Sequence, residues 1–214
     1  DGQGEVTGTH QRQWKVLERK DSGFQEIALL PNPTEIGPDS TRGNRLAPQT
    51  ATGDFDEDGR RDLLVGDHDG DLIVYEATGD DQIETAWTVE TDQEQAGEQF
   101  ATGDFSGTGR TDFVTAAATP EAPLISYYSV WRRAGENAYE RVFRLPIPSA
   151  FTDPFTGQNK GGLLESADLD GDDRPEVVIA HPPSLLVLDR STGGTWRVLY
   201  EDRNSSISLA SGLL

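Results

Sequence analysis

The chain has 214 residues, enough for one domain with a substantial core or two small ones, and its 34% hydrophobic content with 23 Gly and 12 Pro suits many short strands joined by turns. Thirty-eight acids against 18 bases give a formal charge of −20, which argues against nucleic acid or an anionic membrane surface as a partner. There is no Cys, so disulfides, zinc–thiolate sites and thiol catalysis are excluded, and no apolar run approaches the roughly 18 residues of a membrane span.

No Met occurs, and no charged start followed by an apolar stretch marks a signal peptide, so the sequence is expected to be a processed or trimmed piece of something larger. The first strand signals are Arg12 to Arg19 and Phe24 to Leu30, read as the last two strands of a sheet that occupies residues 1–45. His10 lies in the polar start and carries no hypothesis.

Residues 46–92 hold four strand signals, Gln49 to Gly53, Asp62 to Gly66, Leu72 to Ala77 and Thr85 to Thr91, with a turn expected at residues 67–70. Between the first two stands a nine-residue phrase with acids at positions one, three, five and nine: Asp54, Asp56, Asp58 and Asp62. Residues 93–146 repeat the plan with Phe100 to Gly103, Asp112 to Ala118, Leu124 to Arg132 and Tyr139 to Leu145. Their phrase reads Asp104, Ser106, Thr108 and Asp112 at the same positions. Residues 147–200 repeat it again with Leu163 to Ala167, Glu176 to Ala180, Leu185 to Asp189 and Thr195 to Tyr200, and with Asp168, Asp170, Asp172 and Glu176 in the phrase. Residues 201–214 begin a further copy, because Ser211-Gly-Leu-Leu214 echoes Gly161-Gly-Leu-Leu164.

Carboxylates crowded into nine residues repel one another unless a cation offsets the repulsion or water screens it. An all-oxygen donor set selects a hard cation, and calcium, with six to eight ligands at loose geometry, suits it better than octahedral magnesium. The side chains at positions one, three, five and nine are the expected ligands. The backbone carbonyl of position seven, Arg60, Arg110 or Arg174, is expected to add an oxygen while the arginine side chain points away. Gly59 and Gly109 at position six allow a positive φ, and Asp173 takes that place in the third copy. Ser106 and Thr108 replace two carboxylates, so the expectation is two calcium sites and a third that is weaker or empty.

An EF-hand shares the opening spacing but needs Glu at position twelve and flanking helices. Position twelve is Val65, Thr115 or Ile179, and the following runs are β-branched, so the EF-hand is rejected. The plain alternative is a set of Asp/Gly turns between strands.

First ligands recur at intervals of 50 and 64 residues, within the range of propeller blades, and four strands per period make the four-stranded antiparallel unit of a β-propeller. The fold expected is therefore all-β, with about three full blades plus partial blades at both ends. Thr50-Ala-Thr-Gly-Asp-Phe55 and Phe100-Ala-Thr-Gly-Asp-Phe105 are nearly identical approaches to the loop. Together with the acidic phrases they resemble FG-GAP or VCBS-type repeats, the blades of integrin-α-like propellers, over about residues 46 to 200. Copy two departs from that pattern at Ser106 and Thr108, and copy three at Asp173. The resemblance implies a propeller with calcium bound at the loop joining the first two strands of each blade. An open arc of a larger ring, completed by missing blades or by another chain, is expected over a closed four-part ring, because no second strand signal is available for the split blade.

Trp14, Trp87, Trp131 and Trp196 are expected to pack between blades rather than to form a sugar platform, and Tyr127 and Tyr128 to face opposite sides of a strand. His68 and His181 read as exposed turn histidines on the face opposite the loops. The segment from Pro146 to Gly161 is the candidate for partner contact. No nucleophile elbow, phosphate loop or zinc-protease motif occurs, and no catalytic residue is assigned. The expected role is an extracytoplasmic, calcium-binding, non-enzymatic scaffold for a protein partner or adhesion. A lectin-like or polysaccharide-lyase-type propeller acting on a glycan is the alternative.

Overall fold

The computed structural model describes residues 5–10, 13–32, 46–67, 70–91, 95–118, 125–135, 137–148, 163–181 and 184–203, and their regular elements are all β-strands. Strands β1 (Glu5–His10), β2 (Gln13–Lys20) and β3 (Gly23–Pro31) form a three-stranded antiparallel sheet. Strands β4 (Leu46–Gly53), β5 (Asp62–Asp67), β6 (Asp71–Gly79) and β7 (Gln82–Glu90) form a four-stranded sheet in chain order. The same meander recurs in β8 (Gln95–Gly103), β9 (Asp112–Ala118), β10 (Ile125–Gly135) and β11 (Ala138–Pro148). It recurs again in β12 (Leu163–Ala167), β13 (Glu176–His181), β14 (Ser184–Arg190) and β15 (Trp196–Asp202). Four strands joined in sequence order are the blades of a β-propeller.

The chain divides into two units, residues 1–97 and 98–214. In the first, Trp14, Val16 and Leu30 pack against Leu63, Val65, Ile73 and Tyr75. The Trp14 indole meets the Tyr75 ring edge-on at 6.1 Å, and the Tyr75 hydroxyl donates to the Pro31 carbonyl at 2.5 Å. In the second unit, Val114, Tyr128 and Val130 face Leu164, Val177, Ile179, Leu186 and Leu188. Every residue of β5 is buried, which explains why the second strand of a blade reads as an unbroken apolar run rather than an alternating one. Full burial of one such aliphatic side chain contributes about 1.5–3 kcal/mol, so these stacked faces supply most of the driving force.

The first sheet has three strands where the sequence showed two. Residues Glu5–His10 contain only one large apolar residue, and β1 is held by its antiparallel pairing with β2 rather than by its own pattern. Trp14 and Trp131 are buried, as expected of packing residues, and Trp196 stacks on Phe143 at 5.7 Å. Tyr128 is buried while Tyr127, on the other face of β10, is half-buried under the Arg144 guanidinium. His181 is 2% exposed, so the expectation of an exposed turn histidine is wrong for it. His68, residues 149–161 of the long segment and residues 204–214 lie outside the described residues.

Candidate metal loops

Each acidic phrase joins the first and second strands of a blade, and its ninth residue opens the second strand. That acid is buried in all three copies: Asp62 and Glu176 are 2% exposed, Asp112 1%. Asp62 Oδ2 accepts the Phe55 amide at 2.8 Å, Asp112 Oδ2 the Ser106 amide at 2.9 Å, and Glu176 Oε2 the Leu169 amide at 2.7 Å. Position nine thus closes the loop through a charge-assisted bond that needs no ion. The backbone turns left-handed twice, at positions four and six: Glu57 and Gly59, Gly107 and Gly109, Gly171 and Asp173. Position six was legible from sequence; position four was hidden by Glu57.

In the first loop, Asp54, Asp56 and Asp58 each present a carboxylate oxygen within 4.8 Å of the others. Asp54 Oδ2 accepts the Gly59 amide at 3.0 Å, Asp56 Oδ1 that of Asp58 at 3.1 Å and Asp58 Oδ1 that of Arg60 at 2.7 Å. Asp54 Oδ1 and Asp62 Oδ1 are buried without a hydrogen-bond partner. Burial pushes the Asp62 carboxyl up to about 6 against backbone hydrogen bonds from Phe55 and Ala77, and the charges of Asp56 and Asp58 push upward too. Asp62 itself stands outside the three-carboxylate group. The Arg60 guanidinium donates to the carbonyls of Thr78 at 2.8 Å and Ala77 at 3.3 Å at the end of β6, but its Nη1 also lies 3.5 Å from Asp58 Oδ2, so the side chain does not point wholly away from the loop.

The third loop gathers Asp168, Asp170 and Glu176 within the same span. Asp168 accepts the amides of Gly171 at 2.7 Å and Asp173 at 3.0 Å. Asp172 stands apart, because its carboxylate grips the Arg174 guanidinium, which holds its pKa below the ordinary value. Arg174 Nη1 also reaches the Arg190 carbonyl at 3.2 Å, the counterpart of the Arg60 contact.

The second loop is built differently. Asp104 Oδ1 accepts the Thr108 amide at 2.9 Å and the Ser106 hydroxyl at 3.4 Å, and its Oδ2 accepts the Gly109 amide at 2.6 Å. The Ser106 and Thr108 hydroxyls lie 2.9 Å apart, and Arg190 donates to the Ser106 carbonyl at 2.7 Å. Arg110 is exposed at position seven. Among the described residues this loop has no group of three acids. The first and third loops therefore offer an oxygen-seeking cation a clustered donor set, with buried unpartnered oxygens in the first. In the second, both Asp104 oxygens accept the loop's own amides, while Asp112 Oδ1 is buried without a hydrogen-bond partner.

A further group joins Glu18 of β2 to Asp80 and Asp81 of the turn between β6 and β7 and has no sequence signature. Its charge is met from within the protein: the Lys20 ammonium pairs with Glu18 and lies 4.0 Å from Asp81. At the other end of the blades, counting five residues from position nine aligns His181 with Asp67, not with His68. Asp67 is fully buried, with Oδ1 accepting the amides of Gly70 and Asp71 and Oδ2 accepting from Asn32 at 2.6 Å. Beside the second loop, a cleft of about 290 Å³ is lined by Asp112, Arg132, Glu140, Arg190 and Trp196, among others.

Residues 54–115 match the family model described as FG-GAP-like repeat. No curated protein matches the chain in sequence. In structure the chain is similar to the periplasmic gluconolactonase PpgL of Pseudomonas aeruginosa, with 14% identity and a TM-score of 0.56 over 91% of this chain and 49% of that one. The chain thus spans about half the length of that structure, and the likeness is one of fold.

Proposed function

The chain carries FG-GAP-like repeat sequence on β-propeller blades, and we propose that it is a calcium-stabilised, extracytoplasmic scaffold that presents its blades to a protein partner. The observation that carries this reading is the convergence of Asp54, Asp56 and Asp58, with Asp54 Oδ1 buried and without a hydrogen-bond partner. A buried carboxylate oxygen without a partner costs free energy that a bound cation returns. Asp54, Asp56, Asp58 and Asp62 would hold one ion, and Asp168, Asp170 and Glu176 the other. Carbonyl oxygens from Arg60 and Arg174 are proposed to complete the shells. Calcium supplies charge neutralisation here, so its binding free energy adds to folding. Extracellular modules bind calcium at about 10⁻⁴ to 10⁻³ M, which favours a secreted, periplasmic or cell-surface location. Titration calorimetry tests the assignment: Asp54→Ala and Asp168→Ala should each remove one binding event and Asp104→Ala none. Three variants that titrate like the parent chain would defeat it.

A carbohydrate-directed role is the second reading, supported by the Trp196 indole and the Arg132 and Glu140 side chains in one cleft and by a fold shared with a gluconolactonase. Binding on a glycan array that is lost in Trp196→Ala, with calcium binding retained, would favour it over a protein partner.

A further inference from the structure

The position-nine acid has a neighbour across the ladder that the loop sequence does not show. Leu63 pairs with Tyr75, Phe113 with Trp131 and Val177 with Leu188. Extending each ladder by one residue toward the loop sets Asp62 opposite Glu76, Asp112 opposite Arg132 and Glu176 opposite Asp189. At that position the third strand carries a carboxylate in the two blades whose loops keep four acids, and a guanidinium in the blade whose loop has lost two. The next strand follows suit. Arg132 pairs with Glu140 of β11, whereas Asp189 holds Arg197 of β15 at 2.8 and 2.7 Å, the same ladder pair with its charges exchanged.

Arg132, Asp112 and Ser106 line one cleft, and Arg190 enters it to bind the Ser106 carbonyl. Burial dominates the Asp112 carboxyl and raises its pKa; the Ser106 hydrogen bonds oppose that rise, the charge of Asp104 adds to it, and the positive charge of Arg132 opposes it more weakly. The geometry points to a second loop neutralised by the protein itself: Arg132 is the fixed cation that stands in for a divalent ion, and this loop binds no metal. The Lys20 ammonium among Glu18, Asp80 and Asp81 shows the same solution in the first unit. A divalent ion entering the second loop would meet two neutral hydroxyls at positions three and five, an Asp104 carboxylate engaged by two amides, and the repulsion of a like charge. The inference rests on the calcium reading of the other two loops.

Terbium luminescence titration, which counts bound ions through energy transfer from Trp and Tyr, separates the two. The parent chain should bind two ions. Ser106→Asp with Thr108→Asp should still bind two, because Arg132 remains. Adding Arg132→Glu should create a third site within tenfold of the other two in affinity. Arg132→Gln in the same background, which keeps the length of the side chain and removes its charge, should also restore the third ion if the Glu variant fails to fold. A parent count of three, a third ion in the two-aspartate variant with Arg132 intact, or no third ion once the arginine charge is gone would overturn the inference. A parent count of zero would overturn the calcium reading beneath it.

Discussion

The Nδ1 atom of His181 lies 2.7 Å from the hydroxyl of Tyr128, with the two rings perpendicular and buried where β13 meets β10. Burial depresses the His181 pKa, so folding disfavours the protonated ring. In the unfolded chain the ring takes a proton near its ordinary pKa of about 6.5. The unfolded state therefore binds more protons below that pH, and stability should fall as pH drops through about 6.5. Tyr128→Phe leaves a buried ring nitrogen unmatched and should cost about 1–3 kcal/mol in urea unfolding at pH 7.5. His181→Phe should flatten the loss of stability between pH 7.5 and 5.5, and an unchanged acid limb would show that the pair does not govern it.

Asp71 should act in the opposite direction. Burial, with the charges of Asp67 and Glu90 adding to it, raises its pKa to about 7, and its Oδ2 has no hydrogen-bond partner. The folded state thus keeps this proton to higher pH than the unfolded state does. The stability it lends is complete below the ordinary carboxyl value, declines as pH rises, and is gone above about 7. Asp71→Asn should raise stability at pH 8 by about 2 kcal/mol or more and change little at pH 4. Parallel pH–stability curves for the two proteins would refute this.

Glu57 holds a left-handed backbone at φ 67°, where the other two loops have Gly107 and Gly171. An L-residue pays roughly 1–2 kcal/mol there, offset in part by the extra freedom glycine gives the unfolded chain. Glu57→Gly should stabilise the protein by about 0.5–1 kcal/mol, and Gly171→Ala should destabilise it by a similar amount in matched chemical denaturation.

The blades were legible because apolar runs recur between acidic loops, and Asp62 to Gly66 and Glu176 to Ala180 fall within β5 and β13 as read. Strand β1 was not, because pairing with β2 holds a segment whose own residues carry little β pattern. The clustering of Asp54, Asp56 and Asp58 follows from spacing alone, whereas Asp172 turns to Arg174 because both side chains can reach each other on a tight loop. His181 was misplaced by counting from the turn instead of from the loop. The opposition of Asp112 and Arg132 was invisible for a different reason: it depends on ladder register, which joins residues 20 apart and leaves no local trace.

The central claim is that clustered aspartates in the first and third loops are held together by calcium. Differential scanning calorimetry in calcium and in chelator at equal ionic strength, with magnesium as control, tests it most directly. Each ion at ten times its Kd contributes about 1.4 kcal/mol. Two ions should raise the Tm by about 5–10 °C, and magnesium should do much less. The same Tm in calcium and in chelator would contradict the account.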